Sequence, residues 1–323
     1  MQRANRWITV VLALVAISTA TAAQRQSALS ASQLLKEELS PAPAPTEAIQ
    51  ANEPAVAFTF EVVDFPAVGA HQNAHQINDH SRVVGTYTAL SSNTEGYVLQ
   101  GSSFKKIVYP SAGVNVTSAW GINKAGVVVG FYSSDGGSTG HGFMLKGKNY
   151  STLDYPGATL TAAYAINASG VIVGAYSTTS QFIPHGFMLS GGVYTPIDFP
   201  SATNTTAYAI NGSGVIVGTY QLPDGSVHGF TFQGGSYTSV DYPGGLETIL
   251  NSVNDSGQIV GTYVDAADLG HGLLLKDGIF TSFDAPFAGV TLTSPGGINN
   301  KNQIAGRYVD NAGFRWGFVA TFQ

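Results

Sequence analysis

The sequence predicts an all-β fold: a six-bladed β-propeller of four-stranded blades, its ring closed by pairing the N-terminal strand with the C-terminal one. Three observations carry this expectation. A phrase of the form IN-x-x-G-x-[IV]-V-G-x-Y recurs six times, its asparagines Asn78, Asn123, Asn167, Asn211, Asn254 and Asn299 spaced 45, 44, 44, 43 and 45 residues apart. No window past residue 60 has a helical period of 3.6. Each end of the repetitive region lacks a strand that the other end supplies. Repeats of this period mark solenoids and propellers, and the chain ends favour the closed form.

The elements of one unit follow in order. In the third copy, residues 161–167 (TAAYAIN) read as a strand of small side chains, and Ala168-Ser169-Gly170 turns the chain with glycine where a positive φ is wanted. Residues 171–176 (VIVGAY) are β-branched and strand-forming. A loop leads to residues 185–189 (HGFML), and Gly191-Gly192 makes a tight turn into residues 193–198 (VYTPID). The first of these four strands is placed innermost, because six sheets converging on an axis leave room only for Ala and Gly.

Two further phrases recur with the first. HGF stands at His141, His185 and His228, HGL at His271, and the end copies degenerate to EGY at Glu95 and WGF at Trp316. D-[YF]-P begins at Asp64, Asp154, Asp198 and Asp241, with the weaker forms VYP at Val108 and DAP at Asp284. Two-residue turns at Gly101-Ser102, Gly147-Lys148, Gly191-Gly192, Gly234-Gly235 and Asp277-Gly278 fix the register between these phrases. Reflection about each turn sets His141 opposite Asp154, His185 opposite Asp198, His228 opposite Asp241 and His271 opposite Asp284, while Glu95 meets Val108 and lacks the pair. Cross-strand partners lie about 5 Å apart at Cβ, so the four pairs are expected to be structural latches. Four equivalent dyads do not make one active site. If buried, each carboxylate would raise its histidine's pKa and add stability that is lost as pH climbs through the folded value.

The chain ends complete the ring. Residues 58–64 (FTFEVVD) match the outer strand with no HGF strand before it, and residues 316–322 (WGFVATF) match the HGF strand with no outer strand after it. Their pairing would set Trp316 against Asp64 and hide the edges that a linear array exposes.

Composition narrows the rest. The chain has 323 residues, 11% of them charged, a net charge of -6 and no cysteine. That excludes a coiled coil, a charged disordered chain, a disulfide scaffold, thiolate metal sites and cysteine catalysis, and argues against duplex nucleic acid as partner. Arg3 and Arg6, the apolar run from Trp7 to Ile17 and the small residues Ala20 and Ala22 describe a secretory signal over residues 1–23. The run is too short for a resident membrane helix. Residues 24–57, with PAPAP at their centre, read as a Pro/Ala-rich flexible tether, which leaves residues 58–323 as the repeat domain.

The phrases AINASGVIVGAY and HGFML, with DYPGA between copies, resemble the extracellular HAF repeat family, in which a His-Ala-Phe phrase alternates with AINxxGxVVG. The resemblance covers nearly all of residues 58–323. It implies a secreted or surface bacterial protein with propeller-like repeats, and it carries no catalytic residues. Here the central Ala is Gly, as in His141-Gly142-Phe143, His185-Gly186-Phe187 and His228-Gly229-Phe230, and D-[YF]-P-G replaces the leucine-glycine wording.

In a repeat, a specific site shows as departure from the unit. Three residues before the recurring asparagines stand His75, Trp120, Tyr164, Tyr208, Asn251 and Gly296. These side chains either line the mouth of an axial channel, where rings stack on a sugar or another flat ligand, or act as spacers between blades. His71, His75 and His80 cluster beside Asp79, but a single nearby carboxylate and no thiolate do not suggest a metal site, and no cofactor is expected. Asp265 and Asp268 share a loop without the helix-loop-helix calcium pattern, and Asp135 and Asp224 read as turn residues.

No nucleophile elbow, zinc helix, phosphate loop or dinucleotide fingerprint is present. For an enzyme, the non-repeating glutamates Glu61, Glu95 and Glu247 are those to inspect. The expected function is a monomeric recognition or interaction module, secreted or periplasmic, binding an extracellular polysaccharide or protein at the channel mouth. The alternatives are a secreted carbohydrate-active hydrolase or lyase, and a non-catalytic cell-envelope structural protein.

Overall fold

The computed structural model describes residues 56–63, 72–89, 93–179 and 182–323. The signal expected over 1–23, nearly all of the tether expected over 24–57, and Asp64 and His71 lie outside the described residues. Among the described residues, no helix is long and apolar enough to cross a membrane.

Strand β1 is Phe58–Val63. A first antiparallel run follows: β2 (Gln72–Ile77), β3 (Arg82–Thr88), β4 (Thr94–Gln100) and β5 (Ser103–Ile107). The second is β6 (Val116–Ile122), β7 (Val128–Ser133), β8 (His141–Lys146) and β9 (Asn149–Leu153). The third is β10 (Leu160–Ile166), β11 (Ile172–Ser177), β12 (His185–Ser190) and β13 (Val193–Ile197). The fourth is β14 (Asn204–Ile210), β15 (Ile216–Gln221), β16 (Val227–Gln233) and β17 (Ser236–Val240). The fifth is β18 (Glu247–Val253), β19 (Ile259–Val264), β20 (Gly270–Lys276) and β21 (Ile279–Phe283). The last run has three consecutive strands, β22 (Val290–Ile298), β23 (Gln303–Asp310) and β24 (Arg315–Phe322). Its outer partner is β1, paired antiparallel from Phe58↔Phe322 to Val63↔Gly317.

The fold is therefore all-β and propeller-like, with the two chain ends in one ladder. The grouping into sheets differs from six separate ones: there are two four-stranded and two eight-stranded sheets. In each larger sheet a single parallel bridge, Thr94↔Val116 or Gly270↔Leu292, joins one run to the next. The third strand of each run starts beside the next run's inner strand. At other seams the same approach yields only the isolated bridge Gly140↔Leu160 or the bond from Thr205 N–H to Pro184 O.

The repeated phrases have packing reasons. The phenylalanine of HGF is fully buried as Phe143, Phe187 and Phe230. It lies beneath the glycine of V-G-x-Y. A Cβ on Gly174 would meet Ala162 O at 2.0 Å and Phe187 Cε1 at 2.8 Å, so that position cannot carry a side chain. The aromatic of D-[YF]-P stacks on the V-G-x-Y tyrosine of the following run. Tyr109 lies 3.6 Å from Tyr132, Tyr155 3.5 Å from Tyr176, Phe199 3.6 Å from Tyr220 and Tyr242 3.7 Å from Tyr263, ring centre to ring centre. The backbone N–H of each of these four outer aromatics donates to a threonine on the next inner strand: Thr117, Thr161, Thr205 or Thr248. Where the outer strand ends in Asp284-Ala285-Pro286, Phe287 takes over the stack on Tyr308 at 4.7 Å.

The core is divided between neighbouring runs. One cluster gathers Val63, Ala74, Ile77 and Tyr97 from the start of the chain with Ala305 from its end. Phe58 also stacks on Phe283 at 4.4 Å, so β1 is held by the fifth run as well as by β24.

At the axis, the recurring asparagines are linked. The side-chain amide of Asn78 donates to the backbone carbonyl of Asn123, and the same bond runs from Asn123 to Asn167, then to Asn211, Asn254, Asn299 and back to Asn78. The six bonds measure 2.9, 3.2, 3.1, 3.1, 3.1 and 3.0 Å. Each Oδ1 accepts the backbone N–H four residues on, which closes the turn after the inner strand; Arg82 and Val171 are two of these donors. All six asparagines are buried, so each amide serves at once as turn cap and inter-unit tie.

Candidate ligand-binding site

The inner strands do not pair evenly. In every inner ladder the register slips around the same repeat position, at His75, Trp120, Tyr164, Tyr208, Asn251 and Gly296, and the last ladder slips once more around Thr291. A residue extra to the ladder is re-aimed relative to its neighbours. All six line one cavity of about 170 Å³. The variable position found in the sequence is thus a bulge repeated six times, and its departures from the unit meet in one place.

Rings form one wall. Trp120 and Tyr164 stack with centroids 4.7 Å apart, Tyr208 meets Tyr164 edge-on at 5.1 Å, and Phe131 backs Trp120 at 5.7 Å. The rings are spacers between adjacent inner strands and the lining of the cavity at once, so the two sequence readings describe the same side chains. Burial raises both tyrosine hydroxyls above their ordinary pKa, that of Tyr164 further because Tyr208 is beside it.

The facing wall is polar. His75 Nε2 lies 3.1 Å from Thr86 Oγ1, and burial, helped by Arg307, pushes the His75 pKa down to about 3, so the ring is neutral. Asn251 donates to Pro295 O at 2.7 Å and thereby ties the fifth inner strand to the sixth. Gly296 lacks a side chain because its Cβ would stand 2.4 Å from His75 O. Gln76, next to the bulge, reaches across to Ser252 Oγ at 3.2 Å and fills space near the axis. Arg307 on β23 supplies the lining's formal charge. Burial and then Arg315 draw its pKa down to about 10, with Tyr208 opposing, so it stays cationic at neutral pH.

Arg307 and Gln76 were not singled out from the sequence. The signal for Arg307 existed: the residue after the recurring glycine is Thr86, Phe131, Ala175, Thr219, Thr262 and Arg307, neutral in five copies and charged in the sixth. Gln76 carried a similar signal, standing where other copies have Gly121, Ala165, Ala209, Ser252 and Gly297.

The other candidates lie elsewhere. Glu61 is exposed on β1, Glu247 opens β18, and Glu95 on β4 accepts from Tyr87 Oη and Lys106 Nζ. None of the three lines the cavity, so the carboxylate pair that glycoside hydrolysis uses has no members among them there. The first copy did not simply lose its latch, since Glu95 has exchanged a histidine-aspartate pair for a tyrosine-lysine one. His80 lies against Lys124 O at 3.2 Å, separate from His75 in the cavity. Among the described residues no group of three or more His, Asp or Glu side chains is arranged to hold a metal.

The histidine-aspartate pairs sit on the outer strands, away from the cavity. His141, His185, His228 and His271 lie 2.9, 3.2, 3.1 and 2.8 Å from Asp154, Asp198, Asp241 and Asp284. Each ring rests on a V-G-x-Y tyrosine: Tyr132, Tyr176, Tyr220 or Tyr263. The buried setting considered from the sequence is not what the pairs have. The His185 and Asp198 side chains are 40% and 41% exposed. Only His271 is distinct: Asp265 also lies 3.3 Å away, and although burial opposes it, Asp284 and Asp265 together raise its pKa. Asp265 meanwhile caps its own loop through Ala267 and Leu269 N–H, a role in keeping with a turn residue. Trp316, expected opposite Asp64, donates to Asp310 at 3.1 Å.

No protein-family model matches the chain, and no curated protein does. Solved structures do match. A mutant of the Aleuria aurantia lectin, in complex with Fucα1-6GlcNAc, superposes with a TM-score of 0.52 at 13% identity, over 80% of this chain and 96% of the lectin's. TolB from Acinetobacter baumannii gives 0.52 at 13% identity, over 76% of this chain and 67% of its own. A mutant of AofleA from Arthrobotrys oligospora gives 0.51 at 11% identity, over 82% and 86%. The chain has a propeller-like fold. At these identities the likeness extends to architecture alone.

Proposed function

We propose that the protein is a secreted recognition module whose six four-stranded blades form a closed ring around one small-ligand cavity. The observation that carries this reading is the gathering of six bulge residues of five kinds, from six otherwise similar units, in a single cavity. A scaffold position has reason to repeat, as the asparagine three residues on does; a ligand contact has none.

The stacked wall of Trp120, Tyr164 and Tyr208 suits a flat ring or the apolar face of a sugar. The volume lies below the several hundred Å³ of drug-sized pockets, which favours a ligand on the scale of one ring over an extended chain. Binding by a fixed wall and a few polar groups needs no second protomer, and the domain is taken as a monomer. The basic, apolar and small-residue stretch over 1–23 and the HAF-like phrases support export, to the cell surface, the medium or the periplasm, with 24–57 as tether and 58–323 as the ligand-carrying domain.

The test is calorimetric titration of the purified full chain with a panel of monosaccharides and small ring compounds, with product formation followed in parallel. Saturable binding of a panel member without turnover, lost in Tyr208→Ala while the near-ultraviolet circular dichroism persists, is the expected result. Turnover, or binding that ignores Tyr208→Ala, would overturn the reading.

A further inference from the structure

We propose that the cavity selects an anion, a small ring compound bearing a carboxylate, with Arg307 as the carboxylate's partner and the aromatic wall as the ring's seat. This rests on the recognition reading above and adds the ligand's charge class.

The cavity is bipolar. The rings of the second, third and fourth runs make one side, and the sixth run makes the other with Arg307 and Ser294. Among the described residues no carboxylate lines the cavity, and none forms an ion pair with Arg307. A guanidinium drawn out of bulk water without a counter-ion is costly, and an incoming anion removes that cost. Its planar fork is matched to a carboxylate's two oxygens. The equivalent position is neutral in the five other units, so the charge is no part of the scaffold. Gly296, the bulge residue of the same run, is packed against the His75 backbone and adds no side chain of its own to the lining beside Arg307. The neighbouring polar groups suit the same ligand. Ser294 and Thr262 hydroxyls lie 3.3 Å apart on that side, and the neutral His75 ring adds no competing cation.

One ring carboxylate can be a sugar acid or an aromatic acid, and the two are separated by titrating the full chain with D-glucuronate against D-glucose and with benzoate against benzamide. Binding is read by calorimetry and by the ligand-induced rise in melting temperature. The expected result is at least a tenfold preference of the wild-type protein for one acid over its neutral partner. Arg307→Gln should abolish that preference, and Arg307→Lys should keep part of it. Because the wild-type comparison stands alone, the inference remains testable if Arg307→Gln does not fold. Equal binding of acid and neutral partner, or a preference that survives Arg307→Gln, would overturn the anion assignment and leave the recognition reading standing. No binding by any of the four compounds would overturn the assignment, and an empty monosaccharide and ring-compound panel would take the recognition reading with it.

Discussion

Two positions on the same inner strands, three residues apart, obey opposite rules. At the end of each strand stands an asparagine, the same in all six copies, buried and bonded in sequence from Asn78 round to Asn299 and back. Three residues earlier stand His75, Trp120, Tyr164, Tyr208, Asn251 and Gly296, no more than two alike. Backbone explains the contrast. The asparagine is inside the ladder's closing turn, where its amide must satisfy a fixed donor and a fixed acceptor. The bulge residue is outside the ladder, so its side chain is chosen by what fills the cavity. Uniformity marks the hydrogen-bonded ties between the runs, and diversity marks the wall of the cavity.

The sharpest way to break this contrast is to remove one asparagine. Asn167→Ala takes one of two donors from the Asn211 carbonyl, which keeps Gly214 N–H, and leaves the half-buried Val171 N–H without its acceptor. A loss of about 2–3 kcal/mol is expected, about 1–3 kcal/mol for the unpaired N–H and about 1 kcal/mol for the carbonyl's lost bond. Tyr208→Phe, at the bulge position, should cost well under about 1 kcal/mol. Urea denaturation of both variants decides it, and equal costs at the two positions would dissolve the distinction.

A smaller effect separates this chain from the HAF wording. An alanine at Gly186, which restores His-Ala-Phe, would place Cβ 2.3 Å from Ile197 O, whereas at Gly96 the nearest contacts are Ala119 Cβ and N at 3.1 Å. Overpacking against backbone makes Gly186→Ala destabilising by about 2 kcal/mol and Gly96→Ala by less than about 1 kcal/mol. Equal melting temperatures for the two variants would show that the outer strand shifts freely.

The cavity and the rim should also respond to pH with opposite signs. His75 is held neutral down to about pH 3 in the folded protein, while the unfolded chain takes up its proton near 6.5. Between these values the unfolded state binds more protons, so stability falls on acidification, by at most about 1.4 kcal/mol per pH unit. The His271 pKa is raised instead, since Asp284 and Asp265 outweigh burial. Its contribution is full below 6.5 and fades as pH rises through the folded value. His75→Gln should flatten the acid limb of the stability profile, and His271→Gln the limb just above 6.5. An acid limb unchanged in His75→Gln would mean that water reaches the ring.

Much of this was legible in the sequence because repetition converts pattern into geometry. Turn glycines such as Gly191 and Gly192 fixed the outer registers, and the unmatched end strands pointed to the β1–β24 ladder. The bulge was not legible, since a residue extra to a ladder leaves the spacing of the phrase intact; Tyr164 reads as an ordinary member of an alternating strand. The asparagine ties were hidden for a related reason, because the partner of Asn123 lies one whole repeat away at Asn167. The departure of Arg307 from the unit lies on the second strand, beside the inner strand that carries the variable position. Exposure of the histidine-aspartate pairs was also beyond reach, as register gives who faces whom and says nothing of the water above them.

That exposure sets the smallest effect. His185 and Asp198 meet at 3.2 Å with about two-fifths of each side chain in solvent, and His141 and Asp154 at 2.9 Å with about half. Ion pairs so placed contribute between nothing and about 1 kcal/mol, reduced by salt. With solvent screening, Asp198→Ala is expected to cost about a few tenths of a kcal/mol. His271→Ala should cost more than His185→Ala, because its ring is 20% exposed and faces two carboxylates. Thermal melts of both variants at low and high salt rank the sites. If His185→Ala proves the costlier, stacking on Tyr176 at 5.4 Å, rather than charge, is what the rim histidines contribute.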